Sequence, residues 1–467
     1  MPLREGSTVI ANHAARRARL ITRMQQAGGG VAIIPTAPEV MRNSDADYPY
    51  RHDSYFYYLS GFMEPEAVVV VVAPPDGSPG RSILFCREKN PEREIWDGFR
   101  YGPVAARDNF QFDEAFDHAA LDIELPKLMA DMPALFYAVG RDATLDAQVR
   151  GWMTSVRGQA RAGVAAPAVM HDIRPLLDDM RLFKDADEIA IMRHAAGISG
   201  AAHARAMRMS APGKTEYQIE AELLHAFRYA GSDFPAYTSI VATGANACVL
   251  HYRAGAAVLQ DGDLVLIDAG CEYGGYASDI TRTYPANGRF SPAQKRLYEI
   301  VLAAQQAAID AVRPGATFME GHDAAVRILA QGMLDTGLLD GAKVGSVEDV
   351  IAKGDYRQFY MHRTGHWLGM DVHDVGEYRE AAAGVANAGT ATETRDAKPW
   401  RILRPGMVLT VEPGIYVRPA EGVPEEYWNI GIRIEDDVAV TADGREVLSV
   451  SAPKTVAAIE AVMRGGE

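Results

Sequence analysis

The sequence predicts two domains, an α/β domain over residues 1–180 and an α+β domain over residues 181–467. Three observations lead there. A chain of 467 residues exceeds what one hydrophobic core usually serves. Its first third alternates helix-period and strand-like apolar runs, whereas the remainder mixes long helices with short strands that carry antiparallel signals. A proline-punctuated, charge-rich seam, HDIRPLLDDMRLFK at 171–184, lies between the two.

In order along the chain, residues 14–27 carry a helical pattern that Gly28, Gly29 and Gly30 interrupt before the apolar run Val31 to Ile34. Ala67 to Ala73, Ser82 to Cys86 and Leu135 to Val139 read as further buried strands. The triple glycine precedes a strand and lacks GxGxxG spacing, which argues against a dinucleotide site. Past the seam, Asp187 to Arg208 and Thr215 to Tyr229 read as helices, the second capped by Thr215. Between them, Pro212-Gly213-Lys214-Thr215 looks like the end of a phosphate-binding loop. That loop requires glycine where this chain has Arg208, so the reading fails. Ser291 caps a helix running to Arg313, with Pro292 in its first turn, Leu297, Ile300, Val301 and Ala304 as its apolar stripe and Pro314-Gly315 as its stop. Residues 381–398 are small and polar without period and read as a surface loop or flexible insert. No repeat appears at solenoid periods.

Composition narrows the function classes. Hydrophobic residues at 48% and charged residues at 23% are ordinary for a globular protein. A net charge of -15 argues against nucleic acid or an anionic membrane as partner. Three cysteines without a CxxC pair are no disulfide framework, and the N-terminal stretch lacks the apolar centre of a secretion signal. The longest apolar stretch, Ala67 to Ala73, is too short to cross a bilayer. A cytoplasmic protein is expected.

The chemistry concentrates in the last 200 positions. Asp268 ends the apolar strand LVLID, and Asp279 follows a glycine-marked turn eleven residues later. His366 sits in MHRTGHWLGMDVHDVG, Glu412 in VLTVEPGIY and Glu435 in IGIRIEDD. Alternation of Ile430, Ile432 and Ile434 places Arg433 and Glu435 on one strand face. The strand Met407 to Val411 could lie antiparallel to it and bring Glu412 near Glu435. Any one of these acids alone reads as a solvated strand end or half of a salt bridge. Together they are harder to dismiss, because carboxylates in apolar strands are costly unless neutralised, and few basic residues stand nearby. Two divalent cations would balance four carboxylates, and a metal pair with a bridging water is hydrolytic. His362 and His366 are four apart as in HExxH zinc proteases. No glutamate follows His362, and Gly365 and Gly369 disfavour a helix, so that motif is rejected.

DAG…SDITRTY, GHWLGMDVHDVG, VEPGIY and IRIEDD together resemble the pita-bread metallopeptidases. With SDADYPYRHDSYFYYLSGFMEPEAV in the first domain, the likeness is greatest to aminopeptidase P and spans nearly the whole chain. The resemblance implies a creatinase/prolidase-type α/β N-terminal domain and an α+β pita-bread catalytic domain. It implies Asp268 on one metal, His366 and Glu412 on the other, and Asp279 and Glu435 bridging both. Mn²⁺ is expected, with Co²⁺, Zn²⁺ or Fe²⁺ as alternatives. A bridging hydroxide would cleave peptides with proline at the second position, with Glu412 relaying its proton and His373 and His251 holding substrate and oxyanion. His362 and Arg433 would shape the downstream pocket or serve only to orient ligands. Tyr416 and Trp96 resemble aromatic pocket positions, Trp96 reaching a site only from a neighbouring subunit. The family suggests homodimers or homotetramers. Arg363 and Thr364 depart from its pattern, as does the extra length at 381–398. Rivals are a prolidase, which shares the ligands, a methionine aminopeptidase, which usually lacks the first domain, and a non-catalytic scaffold.

Overall fold

The computed structural model describes residues 7–380 and 398–465, so the stretch expected to form a loop at 381–398 lies outside the described residues except for Lys398. The chain divides into two compact units, Met1–Arg181 and Leu182–Glu467.

The first unit is α/β. Its six-stranded sheet runs in the spatial order Glu114–Asp117, Arg81–Cys86, Val68–Ala73, Gly30–Pro35, Ala134–Phe136, Val169–His171. The three strands from Arg81–Cys86 to Gly30–Pro35 pair antiparallel, and the outer neighbours join parallel. Val68–Ala73 is apolar at every position because both of its faces are buried. The two edge strands escape a sequence reading: EAFD is half-buried throughout and VMH largely exposed, so neither shows an apolar run. The triple glycine is a close-approach turn. A Cβ on Gly30 would stand 2.3 Å from the Ala134 carbonyl oxygen of the adjacent strand. The charge-rich seam is itself a helix, Arg174–Leu182, with Pro175 in its first turn.

The second unit is α+β. Long helices Ala186–Met209, Glu216–Tyr229, Pro292–Ala311 and Phe318–Asp335 surround short antiparallel sheets. Ser291 caps its helix as the sequence predicts, its hydroxyl accepting from the Gln294 amide at 3.2 Å while the Gln294 side chain accepts from the Ser291 amide at 2.9 Å. The apolar stripe of that helix, Leu297, Val301, Ala304 and Ala308, joins a core containing Leu264, Val265, Ile267, Leu409, Val411, Ile432 and Ile434. Every strand that ends in a candidate acid is thus anchored from its apolar face.

Candidate metal centre and active site

Two strand systems deliver the acids. Leu264–Asp268 pairs with Thr281–Pro285 so that Asp268 faces Thr281, and the chain doubles back between them to place Asp279 two residues earlier. The doubling needs Gly270, where a Cβ would stand 1.7 Å from the Ser278 carbonyl oxygen. In the second system, Val408–Val411 pairs with Asp436–Val440, and Gly414–Val417 pairs with Ile430–Arg433. This differs from the expected single strand over 430–435. The ladder breaks at Ile434-Glu435 opposite Glu412-Pro413, because Pro413 has no N–H to donate. Both carboxylates emerge at that break.

Asp279, His366 and Glu435 present ligand atoms within 4.8 Å of one another. His366 Nδ1 donates to the Trp367 carbonyl at 2.9 Å, which turns Nε2 inward, 3.4 Å from Asp279 Oδ2 and 3.9 Å from Glu412 Oε1. Asp268 completes the group through Tyr237, whose hydroxyl lies 2.5 Å from both Asp268 Oδ1 and Asp279 Oδ1. A hydroxyl has one proton, so it cannot fully satisfy both acceptors. Tyr237 has no signal in the sequence, since a lone tyrosine 31 residues before Asp268 carries no period or motif.

Arg433 stands two positions before Glu435 in the chain. It donates to Asp268 Oδ2 at 2.6 Å, to Tyr416 Oη at 3.0 Å and to Thr281 Oγ1 at 3.2 Å, rather than pairing with Glu435. Glu435 instead accepts from the Thr281 hydroxyl at 2.7 Å. Tyr416 in turn meets His362 Nε2 at 2.8 Å. Its ring is 1% exposed and lies behind His362 and Arg433, not on the cavity wall.

The charges do not balance within the protein. Burial raises the Asp279 carboxyl above its ordinary range, with Asp268 adding to it. Burial also pushes Glu435 far up and Glu412 up to about 7. Asp268 alone stays low, because the Arg433 guanidinium and the Tyr237 hydroxyl outweigh its burial. Among the described residues the four acids meet one guanidinium, that of Arg433, and the His366 imidazole, which Asp279 and then Glu412 hold up at about 9 against its burial. The donor set, four carboxylates and an imidazole with its Nε2 turned inward, fits divalent cations.

A cavity of about 710 Å³ opens over these groups, lined also by His251, His362, Arg363, His373 and Tyr378. The His373 ring lies 4.0 Å from the His366 ring, tilted by 32°, and its basicity falls to about 4 through burial and the neighbouring imidazoles. His362 is likewise near 4, through burial and then Arg433. Trp96 belongs to the first unit, where it is 81% exposed on Pro91–Asp97 rather than packed in a core.

Comparison with known proteins follows the same lines. The model of metallopeptidase family M24 matches residues 190–442, and that of the aminopeptidase P N-terminal domain matches residues 13–136. The chain belongs to metallopeptidase family M24, in its aminopeptidase P branch. Membership makes it an enzyme, a metallo-exopeptidase of the Xaa-Pro aminopeptidase type with the pita-bread catalytic fold. It is 43% identical to the Xaa-Pro aminopeptidase of Escherichia coli K12 over 96% of each chain. The structure of Pseudomonas aeruginosa aminopeptidase PepP superposes with TM-score 0.90 at 47% identity, covering 98% of both chains. Escherichia coli aminopeptidase P with the inhibitor Pro-Leu also gives TM-score 0.90, at 42% identity and 98% coverage of both.

Proposed function

We propose that this chain hydrolyses the bond between an N-terminal residue and proline with two divalent ions, Mn²⁺ foremost, held by Asp268, Asp279, His366, Glu412 and Glu435. The observation that carries this is the convergence of buried, uncompensated carboxylates with the inward Nε2 of His366 beneath one cavity. Bound there, the ions would supply Lewis-acid polarisation of the scissile carbonyl and an acidified water as nucleophile. Glu412 takes the proton released in the attack and returns it to the departing proline nitrogen. His373 is neutral at that pH, so it donates a ring N–H to the oxyanion, and exposed His251 on the same wall binds the peptide beside it. His362 and Arg433 form the leaving-group side, steadied by Tyr416.

Residues 1–180 we assign to substrate access and oligomer contacts. Exposed Ile95, Trp96, Phe99 and Val104 support the assignment, as monomers seldom leave such a run open to water. The same reading has a homodimer or homotetramer in the cytoplasm, taking proline-containing peptides. Three free, buried cysteines agree with that compartment. No helix among the described residues is long and apolar enough to cross a membrane.

The test is turnover of Xaa-Pro, Xaa-Pro-Yaa and Xaa-Ala-Yaa peptides by metal-loaded protein, alongside elemental analysis. Cleavage of Xaa-Pro-Yaa with release of the first residue is expected. Exclusive cleavage of dipeptides would replace this reading with a prolidase, and absence of bound metal after Mn²⁺ loading would replace it with a scaffold.

A further inference from the structure

Four acidic residues and three arginines, Arg253, Arg363 and Arg433, line the cavity. Arg433 is committed inward to Asp268 and Tyr416. Once divalent ions offset the acids, as the proposed function requires, the surplus charge facing a substrate is positive and sits on Arg253 and Arg363.

These two are held differently. The Arg363 guanidinium carbon lies 5.2 Å from the ring centroid of Trp400, and that of Arg379 lies 3.8 Å from the same ring. Both distances are within cation–π range. The backbone of Arg363 is tied down as well. His362 Nδ1 donates to its carbonyl at 2.8 Å, and the Glu412 amide donates to the next carbonyl, that of Thr364, at 2.8 Å. The Thr364 hydroxyl meets Tyr360 Oη at 2.6 Å and His322 Nδ1 at 2.9 Å. Arg253 has no stacking partner among the described residues. Nor, among those residues, does Arg363 form an ion pair with a carboxylate. A stacked guanidinium without an anion retains its planar N–H fork for a ligand, and that fork matches a carboxylate.

Its place in the site indicates which end of the substrate it meets. Arg363 follows His362, whose Nδ1 is 3.8 Å from Glu412 Oε2. Glu412 is the group that returns a proton to the proline nitrogen in the proposed reaction, so this wall faces the leaving group. We propose that Arg363, clamped on Trp400, is a specificity-determining residue that binds a carboxylate on the leaving-group side of the scissile bond. The carboxylate is either the C-terminus of a tripeptide or an acidic side chain after proline. The proposal deepens the function stated above and rests on it for the direction of the substrate.

Calorimetry with Mn²⁺-loaded protein tests it without turnover, using Pro-Leu and Pro-Leu-amide as probes. Wild type should bind the free acid about tenfold or more tightly than the amide, the range of a charge-assisted hydrogen bond. R363Q should bring that ratio close to one while leaving amide binding unchanged. R363K, with charge but no fork, should retain part of it, and W400L should lose part of it. Kinetics then separate the two sources. Loss of preference for Ala-Pro-Leu over its amide, carried in KM, assigns the C-terminus, and loss for Ala-Pro-Asp-amide over Ala-Pro-Asn-amide assigns the side chain. An unchanged acid-to-amide ratio in R363Q together with an unchanged preference for Ala-Pro-Asp-amide over Ala-Pro-Asn-amide, or preferences abolished by R253Q instead, overturns the proposal. Failure to cleave any Xaa-Pro peptide while R363Q still loses acid discrimination would overturn the assigned reaction and leave the carboxylate site standing.

Discussion

Arg282→Met tests whether one buried cation holds the two acid-bearing strand systems together. The guanidinium is completely buried and uses all five of its N–H groups. Nε donates to the Pro453 carbonyl at 3.0 Å, Nη1 to the carbonyls of Thr281 at 2.9 Å and Glu435 at 2.6 Å, and Nη2 to Asp436 Oδ1 at 2.7 Å and the Ala452 carbonyl at 3.0 Å. Methionine fills much of the volume but leaves four carbonyls and one carboxylate oxygen short of a donor. Removing one partner of a buried ion pair costs about 3–5 kcal/mol. Asp436 keeps Lys454 at 2.7 Å, Gln305 at 2.9 Å and Ser449 at 2.7 Å, which places the loss toward the lower end, about 3 kcal/mol. Arg282→Lys retains the charge with fewer donors and should fall between the two. Urea denaturation with linear extrapolation measures both losses. The same guanidinium joins the Thr281 and Glu435 backbones, so Mn²⁺ affinity should fall at least about tenfold in R282M. A stability change below about 1 kcal/mol, well short of the buried-pair range, together with wild-type Mn²⁺ affinity would refute the reasoning.

Three further outcomes are expected. Tyr237→Phe removes the hydroxyl shared by Asp268 and Asp279 and should weaken Mn²⁺ binding about 10–100-fold, measurable by calorimetric titration; unchanged affinity would show the hydroxyl to be incidental. Dialysis against EDTA should abolish Xaa-Pro cleavage and lower the unfolding midpoint, and Mn²⁺ at about one hundred times its Kd should restore about 2.7 kcal/mol, with a metal-independent midpoint as the contrary result. Lys184→Met breaks the ion pair to Asp374, 2.8 Å long with both side chains 1% exposed, and should cost about 3–5 kcal/mol. The double change K184M with D374L should recover most of that loss, and an equally unstable double variant would assign the cost to packing instead.

Much was legible before any coordinates. Helix starts at Ser291 and Thr215 could be read because a cap and a 3.6-residue period are local signals. The buried strands Val68–Ala73 and Leu264–Asp268 are continuous apolar runs and declare themselves equally well. The four acidic donors stood out because acids are costly at the ends of such runs. The edge strands Glu114–Asp117 and Val169–His171 did not, since half-exposed strands need no apolar pattern. The roles of Tyr237 and Arg282 were invisible, because each bonds to groups many positions distant in the chain and neither belongs to a periodic face.

The amino-acid order by itself determined the two-domain plan, the helices with their caps, and the chemical identity of an acid-rich, single-imidazole centre, because hydrophobic period and residue type are properties of short segments. Only the tertiary structure decided that Arg433 answers Asp268 rather than Glu435, that Tyr416 stands behind His362, and that the strand ladder breaks where Pro413 opposes Ile434. Those outcomes depend on register between strands more than a dozen residues apart. Register is fixed by the packing of the whole core and by the one missing amide hydrogen of a proline, not by any local preference.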